Sequence, residues 1–174
     1  MRSTTDNARL QRFIKGLGQR VTGNGRVYLT GGATALLKGW RSMTIDIDLK
    51  ADPEPNGFFE AIAELKNELD LNVELAAPDQ FIPELPAWKE RSEFICREGL
   101  IDFYHYDLYS QALSKIERNH ERDRMDINSM VQSGELDRKK LFNLFQEIKS
   151  ALIRYPAIEP SVFEKAVTEF CGPE

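Results

Sequence analysis

Cysteine is scarce in this sequence: Cys96 and Cys171 are the only two in 174 residues, with no CxxC pair and no histidine cluster beside them. That argues against a disulfide framework or a structural zinc site and fits a reducing compartment. Long apolar runs are missing as well. No stretch approaches the roughly 18 apolar residues of a membrane span, and the polar start Met1-Arg2-Ser3-Thr4-Thr5-Asp6 lacks the apolar run of a signal peptide. The expectation is a soluble, cytoplasmic chain with no membrane partner. Positive charge is not in excess: 23 Lys+Arg against 28 Asp+Glu leave a formal net charge of −5. A broad basic surface for coating nucleic acid is therefore not expected, although a local basic cleft is compatible with this balance. His105 and His120 are the only histidines. Neither stands at metal-ligand spacing, so hydrogen-bonding or surface roles are expected of both. Internal repeats and low-complexity segments are absent too.

What is present is enough for a folded domain: 41% of residues are hydrophobic and 29% charged. Leu10, Phe13, Ile14, Leu17 and Val21 repeat at helical spacing and predict an amphipathic helix capped near Thr5 or Asp6. A turn at Thr22-Gly23-Asn24-Gly25 leads to a short buried strand over 26–30, then Gly31-Gly32 and a brief helix over 33–38. Thr44-Ile45-Asp46-Ile47-Asp48-Leu49 has strict period two and predicts a strand. A helix over 58–69, a strand over 71–75, a proline-punctuated loop over 76–88 and a hairpin formed by 94–97 and 100–106 follow. Beyond Asp107 the pattern is helical, with helices predicted over 108–119, 122–132, 137–154 and 160–170. The expected class is α+β: a mixed sheet flanked by helices over residues 1–106, then a helical bundle over 107–174 packed on that core.

The residues with chemical meaning lie close together in the chain. On a strand, Asp46 and Asp48 project from one face while Ile45, Ile47 and Leu49 pack behind them. Two like charges side by side repel unless something positive lies between them. Mg²⁺ (or Mn²⁺) is the natural candidate, since hard cations take carboxylate oxygens and share them with substrate phosphates. Gly31-Gly32, between a strand and a helix, offers backbone N–H groups that a phosphate can approach closely. Thr34 adds a hydroxyl, and Arg41 a guanidinium suited to bidentate contact with phosphate or carboxylate. Each feature alone has an ordinary structural explanation: a turn, a solvated edge, a surface arginine. Their order and short spacing make the combination specific.

Strand, Gly-Gly, short helix, then Arg41-x-x-Thr44-Ile45-Asp46-Ile47-Asp48 resembles the nucleotidyltransferase superfamily related to DNA polymerase β. It looks closest to the branch containing AbiEii-type toxins and similar proteins of bacterial toxin–antitoxin loci. Glu84-Leu85-Pro86-Ala87-Trp88, Tyr106-Asp107-Leu108-Tyr109, Lys115-Ile116-Glu117-Arg118, Arg122-Asp123-Arg124-Met125-Asp126-Ile127 and Arg154-Tyr155-Pro156 extend the likeness over most of the chain. The resemblance implies Asp46 and Asp48 as metal ligands and Gly31 and Gly32 as the phosphate turn. It also implies a third carboxylate on a neighbouring strand. Glu74 is the best match by order, and Asp102 in the hairpin competes with it.

Lys115 and Arg118, three apart on one predicted helix face, are candidates for triphosphate oxygens, with Asp126 orienting one of them. A salt-bridge network between helices is the alternative. Trp40, Trp88, Tyr104 and Tyr106 are expected chiefly in the core.

The expected activity is transfer of a nucleoside monophosphate from an NTP to a hydroxyl of tRNA, a protein or a small molecule. An antitoxin partner is implied by the resemblance alone. The alternatives are a catalytically silent module that binds a nucleotide or a protein, and a structural α/β domain whose Asp-x-Asp is an accident.

Overall fold

The computed structural model describes residues 2–172. In chain order the elements are α1 (Asn7–Arg20), β1 (Gly25–Thr30), α2 (Gly31–Leu37), β2 (Asp46–Ala51), α3 (Phe58–Glu68), β3 (Asn72–Glu74), α4 (Trp88–Arg91), β4 (Glu93–Glu98), β5 (Ile101–His105), α5 (Leu108–Arg118), α6 (Glu121–Gln132), α7 (Arg138–Ile148) and α8 (Pro160–Cys171). Short 3-10 turns cover Pro78–Gln80 and Lys149–Arg154. The fold is α+β, as its pattern predicts.

The chain divides into two compact units. One is the chain up to Ala77 together with Ser92–Tyr106; the other is Pro78–Arg91 together with the chain from Asp107 onward. A single cut after residue 106 was expected. The difference lies in 78–91, which belongs with the helices. Arg91 donates to the buried carboxylate of Asp107, Nη2 to Oδ2 at 2.8 Å, and the Tyr155 hydroxyl donates to the Asp79 carbonyl at 3.1 Å. These are long-range partners that no local pattern announces.

The sheet unit is built on a five-stranded mixed sheet of order β3-β2-β1-β5-β4. β1 runs antiparallel to β2 and parallel to β5, β2 runs parallel to β3, and β4 runs antiparallel to β5. Val27, Leu29, Ile47, Leu49, Val73, Ile101 and Phe103 form one face and pack into a core with Leu10, Phe13, Ile14 and Leu17 of α1 and Ala61, Ile62 and Leu65 of α3. Burying each such aliphatic or aromatic side chain contributes about 1.5–3 kcal/mol. A one-residue slip of β2 would turn Ile47 and Leu49 outward and Asp46 and Asp48 into the core, so the hydrophobic pattern fixes which face carries the acids.

The strand expected from Thr44 begins at Asp46 instead, because Thr44 is engaged elsewhere. Its N–H donates to the Thr5 carbonyl at 2.9 Å and its carbonyl accepts from the Thr5 N–H at 2.7 Å. Arg9 ties the same N-terminal arm to the α3–β3 turn by donating to the carbonyls of Leu69 and Asp70. Trp40, half-buried just after α2, donates its backbone N–H to the Ala35 carbonyl at 2.8 Å.

In the helical unit, the Asp107 carboxylate caps α5, accepting from Tyr109 N–H and Ser110 N–H, and Asp137 caps α7 through Lys140 N–H. Such caps satisfy N–H groups left over at a helix start, each worth about 1 kcal/mol. Leu113, Ile127, Met130, Leu141, Phe145, Ile148, Phe163 and Val167 form the core, with Phe145 and Phe163 edge to face at 5.0 Å. Trp88 is buried here as well. One helix was expected over 137–154; α7 ends at Ile148 and tightens into the 3-10 turn.

Candidate functional site

The turn from β1 into α2 brings the first group of residues together. Gly31 has φ +60, in the left-handed region where a side chain is strained. A Cβ there would stand 3.0 Å from Asp48 Oδ2, so the glycine leaves a space against that carboxylate. At Gly32 a Cβ would meet Thr44 Oγ1 at 2.0 Å and Arg41 Nη1 at 3.5 Å. The missing side chains thus let Asp48, Thr44 and Arg41 close around the turn. Thr44 is buried and donates its hydroxyl to the Asp46 carbonyl at 3.0 Å, which shapes the approach to β2. α2 has only seven residues, and a helix dipole acts chiefly within its first and last turns.

The sheet register assembles the acids. Asp48 pairs with Thr30 on one side and with Glu74 on the other, and Asp46 pairs with Asn72. Directly opposed residues in neighbouring strands share a face and lie about 4.8 Å apart along the hydrogen-bonding direction. Asp46, Asp48 and Glu74 therefore occupy adjacent positions of one face. Both aspartates are half-buried and Glu74 is exposed. Asp102, the competing third acid, stands elsewhere: it pairs with Arg26 in the register and forms an ion pair with Arg97 at 3.0 Å. Of the two candidates, the structure brings Glu74 alongside Asp48.

Other expected site residues are placed differently. Thr34 is fully buried; its hydroxyl donates to the Leu29 carbonyl at 3.1 Å and lies 3.2 Å from His105 Nδ1. It holds the turn from behind, and that explains why a hydroxyl is there. Lys115 and Arg118 belong to the helical unit. Lys115 Nζ, itself buried, donates to Asp123 at 3.1 Å and Asp126 at 2.9 Å, while Arg118 grips Asp123 through two nitrogens at 2.9 and 2.7 Å. Burial works to raise the Asp123 pKa, but the hydrogen bonds and charge of Arg118 and Lys115 outweigh it and hold that carboxyl below its usual range. Tyr106 is buried, and Tyr104, half-buried, stacks on Tyr28 with centroids 5.3 Å apart.

Two contributors escaped the sequence reading. Thr44 was read as a strand residue within the Arg41-to-Asp48 motif and given no role of its own. Asn72 was passed over although Asn72-x-Glu74 repeats, one strand away, the period of Asp46-x-Asp48. Its amide donates to Asp46 Oδ1 and, at 3.3 Å, to Glu74 Oε1.

Residues 8–166 match the family described as "Nucleotidyltransferase of unknown function (DUF6036)". The chain belongs to that family. No curated protein and no solved structure gives a significant match. The nucleotidyltransferase family name agrees with the α+β fold. Among the described residues no helix is long and apolar enough to cross a membrane.

A divalent ion can be tested against this donor set. Among the described residues, no three carboxylate, imidazole or thiol side chains converge closely enough to hold a metal by themselves. Mg²⁺ does not require that; it is commonly bound by one or two carboxylates and completed by substrate phosphates and water. Asp46 and Asp48, on one face of β2 with Asp48 at the space left by Gly31, fit that mode and do not fit an all-protein cage.

Proposed function

We propose that the sheet unit binds an NTP with its phosphates at Gly31-Gly32 and transfers the nucleoside monophosphate to a hydroxyl acceptor. The observation that carries this reading is the register that aligns Thr30, Asp48 and Glu74 across three strands at the glycine turn. Asp46 and Asp48 would hold Mg²⁺ (or Mn²⁺), which when bound neutralises phosphate charge in the transfer. Arg41, whose guanidinium reaches Gly32, supplies positive charge beside the phosphates. The acceptor oxygen attacks the α-phosphorus, the bond to the bridging oxygen breaks, and pyrophosphate leaves with that electron pair. Glu74 takes the acceptor proton. Positioning and charge neutralisation carry most of such a reaction. A tRNA, a protein side chain or a small molecule would provide the hydroxyl, and the proposal of an antitoxin partner rests on the resemblance to toxin–antitoxin proteins.

A second reading, a module that binds nucleotide without turning it over, is favoured by one observation: Glu74 is exposed and engaged by Asn72. Calorimetric titration of ATP, GTP, CTP and UTP with and without Mg²⁺ tests both. We expect metal-dependent binding of at least one triphosphate, abolished in Asp46→Ala/Asp48→Ala. Binding of none, or binding indifferent to both aspartates, overturns the nucleotide reading. Binding without pyrophosphate release across an acceptor screen favours the silent module.

A further inference from the structure

We infer that Asn72 is a positioning residue for the metal site, an inference that rests on the function proposed above. Its side chain stands at the position opposite Asp46, two residues before Glu74 on the same strand face. A carboxylate offers only acceptors, so the Asn72 end that faces two of them is its NH₂ group. One proton goes to Asp46 Oδ1 and the other to Glu74 Oε1. A single neutral amide therefore links the first and third acids of the site.

Two consequences follow from that linkage. The amide fixes the Asp46 carboxylate by one oxygen, which orients Oδ2 as the atom available to a metal. It holds Glu74 beside Asp46, and it does so without adding charge. A lysine or arginine in the same place would also hold both carboxylates, but its positive charge would compete with the metal for them. An amide keeps the geometry and leaves the negative charge for the cation. Groups that orient metal ligands in this way typically change metal affinity about 10–100-fold when lost.

The test is Mn²⁺ binding followed by electron paramagnetic resonance, with and without ATP, in the unsubstituted chain, in Asn72→Leu and in Asn72→Thr. Leucine keeps the approximate size and removes both donors. Threonine suits a strand and carries a hydroxyl too short to reach both acids, so it serves if the leucine variant fails to fold. Both are expected to weaken nucleotide-dependent Mn²⁺ affinity at least tenfold while the melting temperature moves little, a combination that a purely structural asparagine would not produce. In the unsubstituted chain, the Asn72 side-chain amide resonances should shift when Mg²⁺ and ATP are added together. Unchanged Mn²⁺ affinity in the folded variants overturns the positioning role and leaves the proposed function standing. Absence of Mn²⁺ binding by the unsubstituted chain overturns the function and, with it, the inference.

Discussion

Each unit gathers acidic side chains, and each treats them differently. In the helical unit, Asp123 and Asp126 are buried against Lys115, and Arg118 closes on Asp123 from outside; the two carboxylates meet two cations. In the sheet unit, Asp46 and Glu74 meet a neutral amide, and Asp48 faces the space left by a glycine. The first cluster is buried, with cations supplied by its own helices. The second lies on a partly exposed face, at a glycine turn that Arg41 also approaches. The comparison teaches that the number of charges in a cluster says less about function than where the fold places them, in a core or at the surface.

The largest expected effect falls on turnover. Glu74→Gln should lower nucleotidyl transfer by about 10²–10⁴-fold, the range usual for a lost general base, with nucleotide binding retained. Asp102→Asn, outside the aligned acids, should stay within about twofold, because Asp102 answers an exposed arginine whose pairing is worth little. Comparing pyrophosphate release by the two variants breaks the contrast if Asp102 proves the more sensitive.

Lys115→Ala comes next, since it removes the buried cation shared by Asp123 and Asp126. The helical unit should lose about 3–5 kcal/mol in denaturant unfolding, the usual cost of removing one partner of a buried pair. The same cluster predicts a pH dependence. Asp123 titrates below its unfolded value of about 3.9, so its contribution is present above that pH and is lost as pH falls through the folded value. Asp123→Asn should therefore flatten the acid limb of the stability curve below about pH 4. An unchanged acid limb would show that the pair does not stabilise the unit.

Gly32→Ala carries a smaller effect. Thr44 would be forced off the turn, and overpacking of this kind costs about 1–3 kcal/mol. Circular dichroism melting of Gly32→Ala against Gly32→Ala/Thr44→Ala sharpens the point: removing the Oγ1 that the new Cβ would meet should recover part of the loss.

How much of this was legible in the sequence depends on the range of the interaction. The helical stripe of Leu10, Phe13, Ile14 and Leu17 and the alternation of Asp46 and Asp48 with Ile47 and Leu49 are local, and both appear as read. Ile45, expected in the core with them, is exposed, because it precedes the strand, which begins at Asp46. Glu74 could be proposed but not chosen over Asp102, because the choice depends on which strands are neighbours, and strand order is set by long-range packing. Thr34 looked like a phosphate donor because its partner, the Leu29 carbonyl, is invisible until the chain turns back at Gly31. Lys115 could be assigned to triphosphate oxygens or to a salt-bridge network for a related reason: helical spacing shows which residues share a face but not what covers it. The attachment of 78–91 to the helical unit was hidden in the same way, in contacts of Asp79 and Arg91 with residues far along the chain.

The chain has two tryptophans, Trp40 and Trp88, and they fall one to each unit. Trp40, half-exposed beside the α2 segment that follows the glycine turn, should emit at longer wavelength than the buried Trp88. Replacing either indole by phenylalanine leaves an optical probe that belongs to a single unit. The protein thus carries its own pair of reporters, one stationed a few residues from the glycines and the other within the helices, so that ligand arrival and loss of helical structure can be watched as separate colours of the same fluorescence.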